Sequence, residues 1–186
     1  RSTLFPYTTL FRSIIDPGHY KRIVAAIRRV TPFFDDFVLR PDPSERIRLR
    51  WKQRGLDRTF LAREASDGTL RFICLATLLL GPDLPATVVL DEPELGLHPA
   101  AIDLLAEMAR VAGRNGHRVL LATQSVPLVS HFDLGEIVVL DRVDGATEAS
   151  RPDEAFLAAF LENYSTGNLW EMNLLGGSII DRKSVV

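Results

Sequence analysis

The sequence predicts an α/β fold in which a mostly parallel sheet is flanked by helices. Two observations carry that reading. Short, almost wholly apolar runs stand at 86–90, 119–122 and 137–140, and helix-length segments stand before or between them at 68–80 and 100–113. Strands that alternate with helices pair in parallel and are covered on both faces, because each crossover helix packs back on the sheet.

Asp16-Pro17-Gly18 reads as a turn. From 20 to 30, Ile23, Val24 and Ile27 recur at helical spacing, with Lys21, Arg22, Arg28 and Arg29 filling much of the remainder. Thr31-Pro32 closes that helix. Residues 37–39 and 46–51 read as strands separated by turn-like residues 40–44, and Gly55 marks a turn before a short strand at 58–61.

The period then changes. Residues 68–80 hold no interior turn signal, Leu70, Ile73, Cys74, Thr77 and Leu78 give this helix one buried side, and Gly81-Pro82 ends it. After the strand at 86–90, Pro99 stands where the first turn of the 100–113 helix accepts it. A second strand follows at 119–122, Ser125 caps a short helix, and 137–140 is the third strand. Residues 153–164 form a helix with Phe156, Leu157, Phe160 and Leu161 on one side, and 172–175 are too few to type.

With 186 residues, 46% hydrophobic and 25% charged, and a formal charge of −2, the chain has the size of one soluble domain with one core. Its single cysteine, Cys74, has no partner for an internal disulfide or a shared metal, and the bland reading is a reducing, cytoplasmic compartment. The apolar run 72–80 falls well short of the roughly 20 residues that cross a bilayer, so no membrane insertion is expected. Residues 14–60 carry eleven Lys or Arg against six Asp or Glu, while 61–186 carry nine against eighteen. A basic region can mark a nucleic-acid surface, but Arg46 to Lys52 alternates polar and apolar residues, which favours the solvated face of a half-buried strand.

Both ends are unusual. Residues 1–13 resemble the in-frame translation of a short-read sequencing adapter, and 181–186 resemble its reverse complement up to a stop codon. On that resemblance, only about residues 14–180 descend from a gene. Read without it, Thr3 to Phe11 could be an edge strand interrupted by Pro6, and the tail defaults to disorder.

The chemistry concentrates in 87–99. A buried parallel strand that ends in Asp91-Glu92-Pro93 places two carboxylates at the sheet edge where open α/β folds bind ligands. Such a pair can hold Mg²⁺ through Asp91 and orient or deprotonate a water through Glu92, as in phosphoryl transfer. A solvent-facing acidic turn after a core strand is the competing reading, and the two stand level on these residues alone. Ser66-Asp67-Gly68 opens a helix, whose free N–H groups and field favour phosphate, yet a plain serine N-cap explains Ser66 as well.

Four segments in order resemble the ABC-type and SMC-like branch of P-loop ATPases, particularly RecF-like proteins with AAA-type cores. Residues 65–71 correspond to the family signature, Asp91-Glu92-Pro93 to Walker B, 96–99 to the loop after it, and 121–125 to the switch segment. Residues 164–177 also look like the C-terminal region of bacterial members, although Trp170 by itself reads as a packing residue beside Leu169 and Met172. The resemblance implies the C-terminal portion of a P-loop NTPase core spanning 14–180, with ATP and Mg²⁺ as cofactors. It implies a second ATPase head as partner, a homodimer in which Ser66, Asp67 and Gly68 cap the nucleotide of the opposite head. DNA or a defence or repair complex is a possible further partner.

Two positions depart from the common pattern. Gln124 stands where many relatives have histidine; it can position water or phosphate but does not titrate near neutrality, and it can also be a polar residue that merely ends a strand. His98 stands where transport ATPases often carry aspartate and could touch the partner head or be a surface histidine. His19, His117 and His131 have no metal-ligand spacing, and no Gly-x-Ser-x-Gly elbow occurs. Between residues 1 and 186 there is also no Gly-x-x-x-x-Gly-Lys-Ser/Thr, which the family places upstream. The expectation is therefore an ATPase in the parent protein and an inactive polypeptide here, with a non-catalytic, nucleotide-gated interaction or DNA-binding module as the alternative.

Overall fold

The computed structural model describes residues 16–40, 48–175 and 183–185. The strand considered at 3–11 and the segment 41–47 lie outside them, as do Asp181, Arg182 and Val186. The chain divides into two compact units: residues 1–85 with 96–108, and 86–95 with 109–186.

The first unit opens with helix α1 (Pro17–Val30). Asp16 is its N-cap and not part of a free turn: its carboxylate accepts from the backbone N–H of Gly18 and His19, and Pro17 fills the first helical position. Ile23, Val24 and Ile27 are buried as their spacing requires, and the helix stops at Thr31. Strands β1 (Phe34–Phe37), β2 (Arg50–Gln53) and β3 (Thr59–Leu61) form an antiparallel sheet in that order. β1 and β2 are displaced from 37–39 and 46–51 because the aromatic packing sets the register: Phe34 meets Phe37 at 4.8 Å, and Trp51 stacks on Phe60 at 4.8 Å. Leu49 and Trp51 are buried while Arg48 and Lys52 face outward, and the Arg50 guanidinium donates to the Arg40 carbonyl. The basic stretch is thus the polar side of a half-buried strand.

A short 3₁₀ turn (Ala62–Glu64) leads to helix α2 (Asp67–Leu80), which packs on α1. Its buried residues are Phe72, Ile73, Leu75, Ala76, Thr77 and Leu79, whereas Cys74 is exposed and Leu70 and Leu78 are half-buried. A run this apolar all round does not reveal by periodicity which stripe is covered, so the expected face was rotated. Helix α3 (Pro99–Arg114) begins in this unit and buries Ile102, Leu104, Leu105 and Met108.

The second unit holds β4 (Thr87–Asp91), β5 (Arg118–Thr123), β6 (Val138–Val143), β7 (Ala146–Ser150) and β8 (Lys183–Val185), in the sheet order β4-β5-β8-β6-β7. β4 and β5 are parallel, and β8 is antiparallel to both β5 and β6. β4, β5 and β6 therefore run in one sense, which gives the α/β core its parallel character. The tail was expected to be disordered, yet Lys183–Val185 pairs with Ala122 and Thr123 on one side and with Val138, Val139 and Leu140 on the other. Two open strand edges a single strand apart satisfy the backbone groups of any short extended segment, so no apolar pattern is needed.

β7 was absent from the sequence reading. Asp144 (φ 50°) and Gly145 (φ 83°) are both left-handed and close a two-residue hairpin between β6 and β7. Among the described residues the sheet is not covered on both faces: cross-strand neighbours Val89 and Leu120 are 67% and 41% exposed. Helix α4 (Val126–Val129) packs on α6 (Thr166–Glu171), and α5 (Glu154–Leu161) lies between them in the chain. Of the four residues assigned to one side of α5, only Leu157 is buried, with Phe156 exposed. Trp170 is buried, which agrees with its packing role.

Candidate functional site

The carboxylate turn begins where the β4 ladder ends. Asp91 is the last paired residue, opposite Ala122 of β5, and its side chain is exposed. Glu92 extends the tie by one bond, its N–H donating to the Ala122 carbonyl at 2.8 Å, and then turns away with φ 45°. A left-handed backbone costs a non-glycine residue roughly 1–2 kcal/mol, and such outliers gather where a side chain must be aimed. Leu95 N–H closes the turn on the Glu92 carbonyl at 3.2 Å, and Pro93 is buried beneath it.

The end of β5 lies at the same edge. Thr123 is fully buried, Gln124 is exposed, and Ser125 caps α4 by accepting from the Leu128 N–H at 3.4 Å. The Thr123 hydroxyl donates to Glu94 Oε1 and accepts from the Ser125 N–H at 2.9 Å. Asp91, Glu92 and Gln124 thus stand at one sheet edge through the pairing of β4 with β5. Glu94 and Thr123 were given no role from sequence, since a carboxylate and a hydroxyl 29 residues apart carry no local signal.

Ser66, Asp67, Gly68 and His98 belong to the other unit. Ser66 is the N-cap of α2: Oγ accepts from the Thr69 N–H at 3.1 Å and meets Thr69 Oγ1 at 2.8 Å, with Asp67 in the first turn. Gly68 is demanded by contact, since a Cβ there would stand 2.3 Å from the Gly96 carbonyl oxygen. Gly96 itself has φ 76°. Two residues on, His98 Nδ1 accepts from the Ala100 N–H at 3.3 Å, which makes the imidazole a cap for α3.

Two adjacent carboxylates at a strand end, Asp91 exposed and Glu92 half-buried, suit Mg²⁺, which keeps several waters and takes one or two carboxylates along with substrate phosphates. Among the described residues no group of three or more His, Cys, Asp or Glu could hold a metal unaided. No helix among the described residues is long and apolar enough to cross a membrane.

Residues 16–130 match the family described as "AAA domain, putative AbiEii toxin, Type IV TA system". No curated protein matches the chain. Among solved structures, one described under ATP-driven dimerisation and DNA-stimulated activation of SMC ATPases aligns with TM-score 0.59 and 14% identity, over 83% of this chain and 95% of that one. The Smc head domain from Pyrococcus furiosus, with an extended coiled coil and bound to the C-terminal domain of ScpA, aligns with TM-score 0.60 and 12% identity, over 81% of this chain and 38% of that one. The Smc head with coiled coil and joint from Pyrococcus yayanosii aligns with TM-score 0.59 and 14% identity, over 82% and 29%. This chain thus spans well under half the length of the last two, and at these identities the likeness is one of fold, that of the SMC head.

Proposed function

The chain belongs to the AAA-domain family described as putative AbiEii toxin, Type IV TA system, and on that premise we propose that its parent protein hydrolyses ATP to ADP and phosphate. Family membership carries ATPase-type nucleotide binding in general; the roles of single residues are our reading. The observation that supports it best is the edge where Asp91 ends the β4 ladder, Glu92 is turned out at φ 45°, and Gln124 follows the last residue of β5.

In this reading Asp91 would hold Mg²⁺, and the Glu92 carboxylate accepts a proton from the attacking water or orients it. Gln124 hydrogen-bonds that water or a phosphate oxygen without itself changing charge. MgATP, when bound, supplies the phosphoryl group and the cation that neutralises its charge. Ser66, Asp67 and Gly68, with His98 two residues beyond the Gly96 that Gly68 packs against, act on the nucleotide of a second head, so that the working unit is a dimer with composite sites. The SMC ATPases of the first structure above are described as dimerising with ATP, which is consistent with that arrangement.

The phosphate-binding loop is to be supplied by a part of the parent upstream of residue 14, and residues 14–180 alone are expected to turn over no ATP. ATP turnover by purified 14–180 at the rate of an extended gene product would overturn that expectation. Replacing Glu92 with Gln in the extended product tests the catalytic role: turnover should collapse while MgATP binding persists.

A non-catalytic, nucleotide-gated interaction or DNA-binding module is the second reading, favoured by the basic balance of 14–60. It predicts DNA binding that weakens steeply with salt and an upstream loop without its lysine. A partner in a defence or repair complex fits either reading.

A further inference from the structure

We infer that Glu94 is a positioning residue that sets Gln124 against Glu92 by holding the buried Thr123 hydroxyl. The inference rests on the proposed ATPase reading. Two bonds join the turn after β4 to the end of β5, and a third holds the β5 end on itself. The Glu92 N–H donates to the Ala122 carbonyl at 2.8 Å, the Thr123 hydroxyl donates to Glu94 Oε1, and the Ser125 N–H donates to Thr123 Oγ1 at 2.9 Å. Thr123 Oγ1 thus serves as donor and acceptor at once, and its two partners lie on either side of Gln124: Glu94 across the turn and Ser125 next in the chain.

A hydroxyl that both donates and accepts has one rotamer available, so the backbone on both sides of Gln124 is fixed. The same carboxylate sits two residues beyond Glu92, and the Leu95 N–H to Glu92 carbonyl bond closes the turn that contains both. Moving Glu94 would therefore displace Glu92 and Gln124 relative to one another. A requirement for stability alone would not select this carboxylate. Glu94 Oε2 is buried without a hydrogen-bond partner among the described residues, and a buried acceptor left unsatisfied is unfavourable, so an apolar pair in place of both Glu94 and Thr123 would serve packing better.

The test uses the extended gene product. Thr123→Val, nearly isosteric, and Glu94→Ala should each lower kcat by about tenfold or more while KM for ATP stays within about twofold, the pattern of an interaction that matters in the transition state. Thr123→Ser, which keeps the hydroxyl, should restore kcat. The double variant should be no worse than either single one, since both remove the same bond. Without nucleotide, hydrogen exchange at the Gln124 and Ser125 amides should quicken in Thr123→Val and not in Thr123→Ser. Wild-type kcat in Thr123→Val, or equal loss in Thr123→Ser and Thr123→Val, would overturn the inference. Should Glu94→Ala fail to fold, Thr123→Val carries the test. If Glu92→Gln leaves turnover unchanged, the ATPase reading itself fails; if Glu92→Gln abolishes turnover and Thr123→Val does not reduce it, only the positioning role fails.

Discussion

The helix start at Ser66–Gly68 and the carboxylate turn at Asp91–Glu94 are held by different kinds of bond. Ser66 is fixed by its own neighbour three residues on, through the Thr69 N–H at 3.1 Å. The carboxylate turn is fixed from another strand, through the Ala122 carbonyl and the Thr123 hydroxyl. A locally capped turn keeps its shape wherever its helix goes, whereas a turn tied across a sheet keeps its shape only while two strands hold their register. Residues that must meet a ligand on a separate head suit the first construction. Residues that must be set against one another suit the second.

The largest break in this contrast should come at Gly68, where the Ser66–Gly68 turn meets a distant backbone. Gly68→Ala drives a Cβ to 2.3 Å from the Gly96 carbonyl, and a backbone atom yields less readily than a side chain. Denaturant unfolding should show a loss of about 1–3 kcal/mol, as for other overpacked sites; wild-type stability would mean that the loop at Gly96 gives way freely.

Ser66 separates capping from nucleotide contact. Ser66→Ala should lose about 1 kcal/mol, the usual effect of removing an N-cap oxygen, while Ser66→Asp, an equally good cap, should keep stability. In the extended product the aspartate would still abolish ATP turnover if Ser66 faces phosphate, because a second negative charge then meets the triphosphate. Full turnover in Ser66→Asp would reduce Ser66 to a cap.

Glu92→Gly should move in the opposite direction to these losses. It relieves the φ of 45° and should stabilise the fold by about 1 kcal/mol or less, while removing the carboxylate that the chemistry needs. A destabilised Glu92→Gly would show that the side chain is held by packing and not aimed by strain.

The same contrast explains what could be read beforehand. Helices α1 and α3, the apolar strands β4 and β5 and the Ser66 and Ser125 caps are set by periodicity and neighbours, so their existence followed from the residues alone. The Asp144-Gly145 hairpin was equally local and equally legible, and it was passed over. The covered face of α2 was not legible, because a run from Phe72 to Leu80 that is apolar all round leaves the choice to tertiary packing. Nor were the Glu94 to Thr123 tie and the insertion of Lys183–Val185 between β5 and β6, since both depend on which strands lie side by side. The exposure of Val89 and Leu120 is of this kind too: their apolar character announced a buried strand, and only the assembled sheet shows one face open.

The central claim is that Glu92 performs the chemistry at an edge that Asp91 and Gln124 share. The most direct measurement is single-site ATP turnover by the extended gene product carrying Glu92→Gln, with MgATP binding followed in parallel. The account predicts a fall of about 10²–10⁴-fold in kcat, the usual contribution of a positioned general base, with nucleotide binding retained. Turnover at the wild-type rate would contradict it.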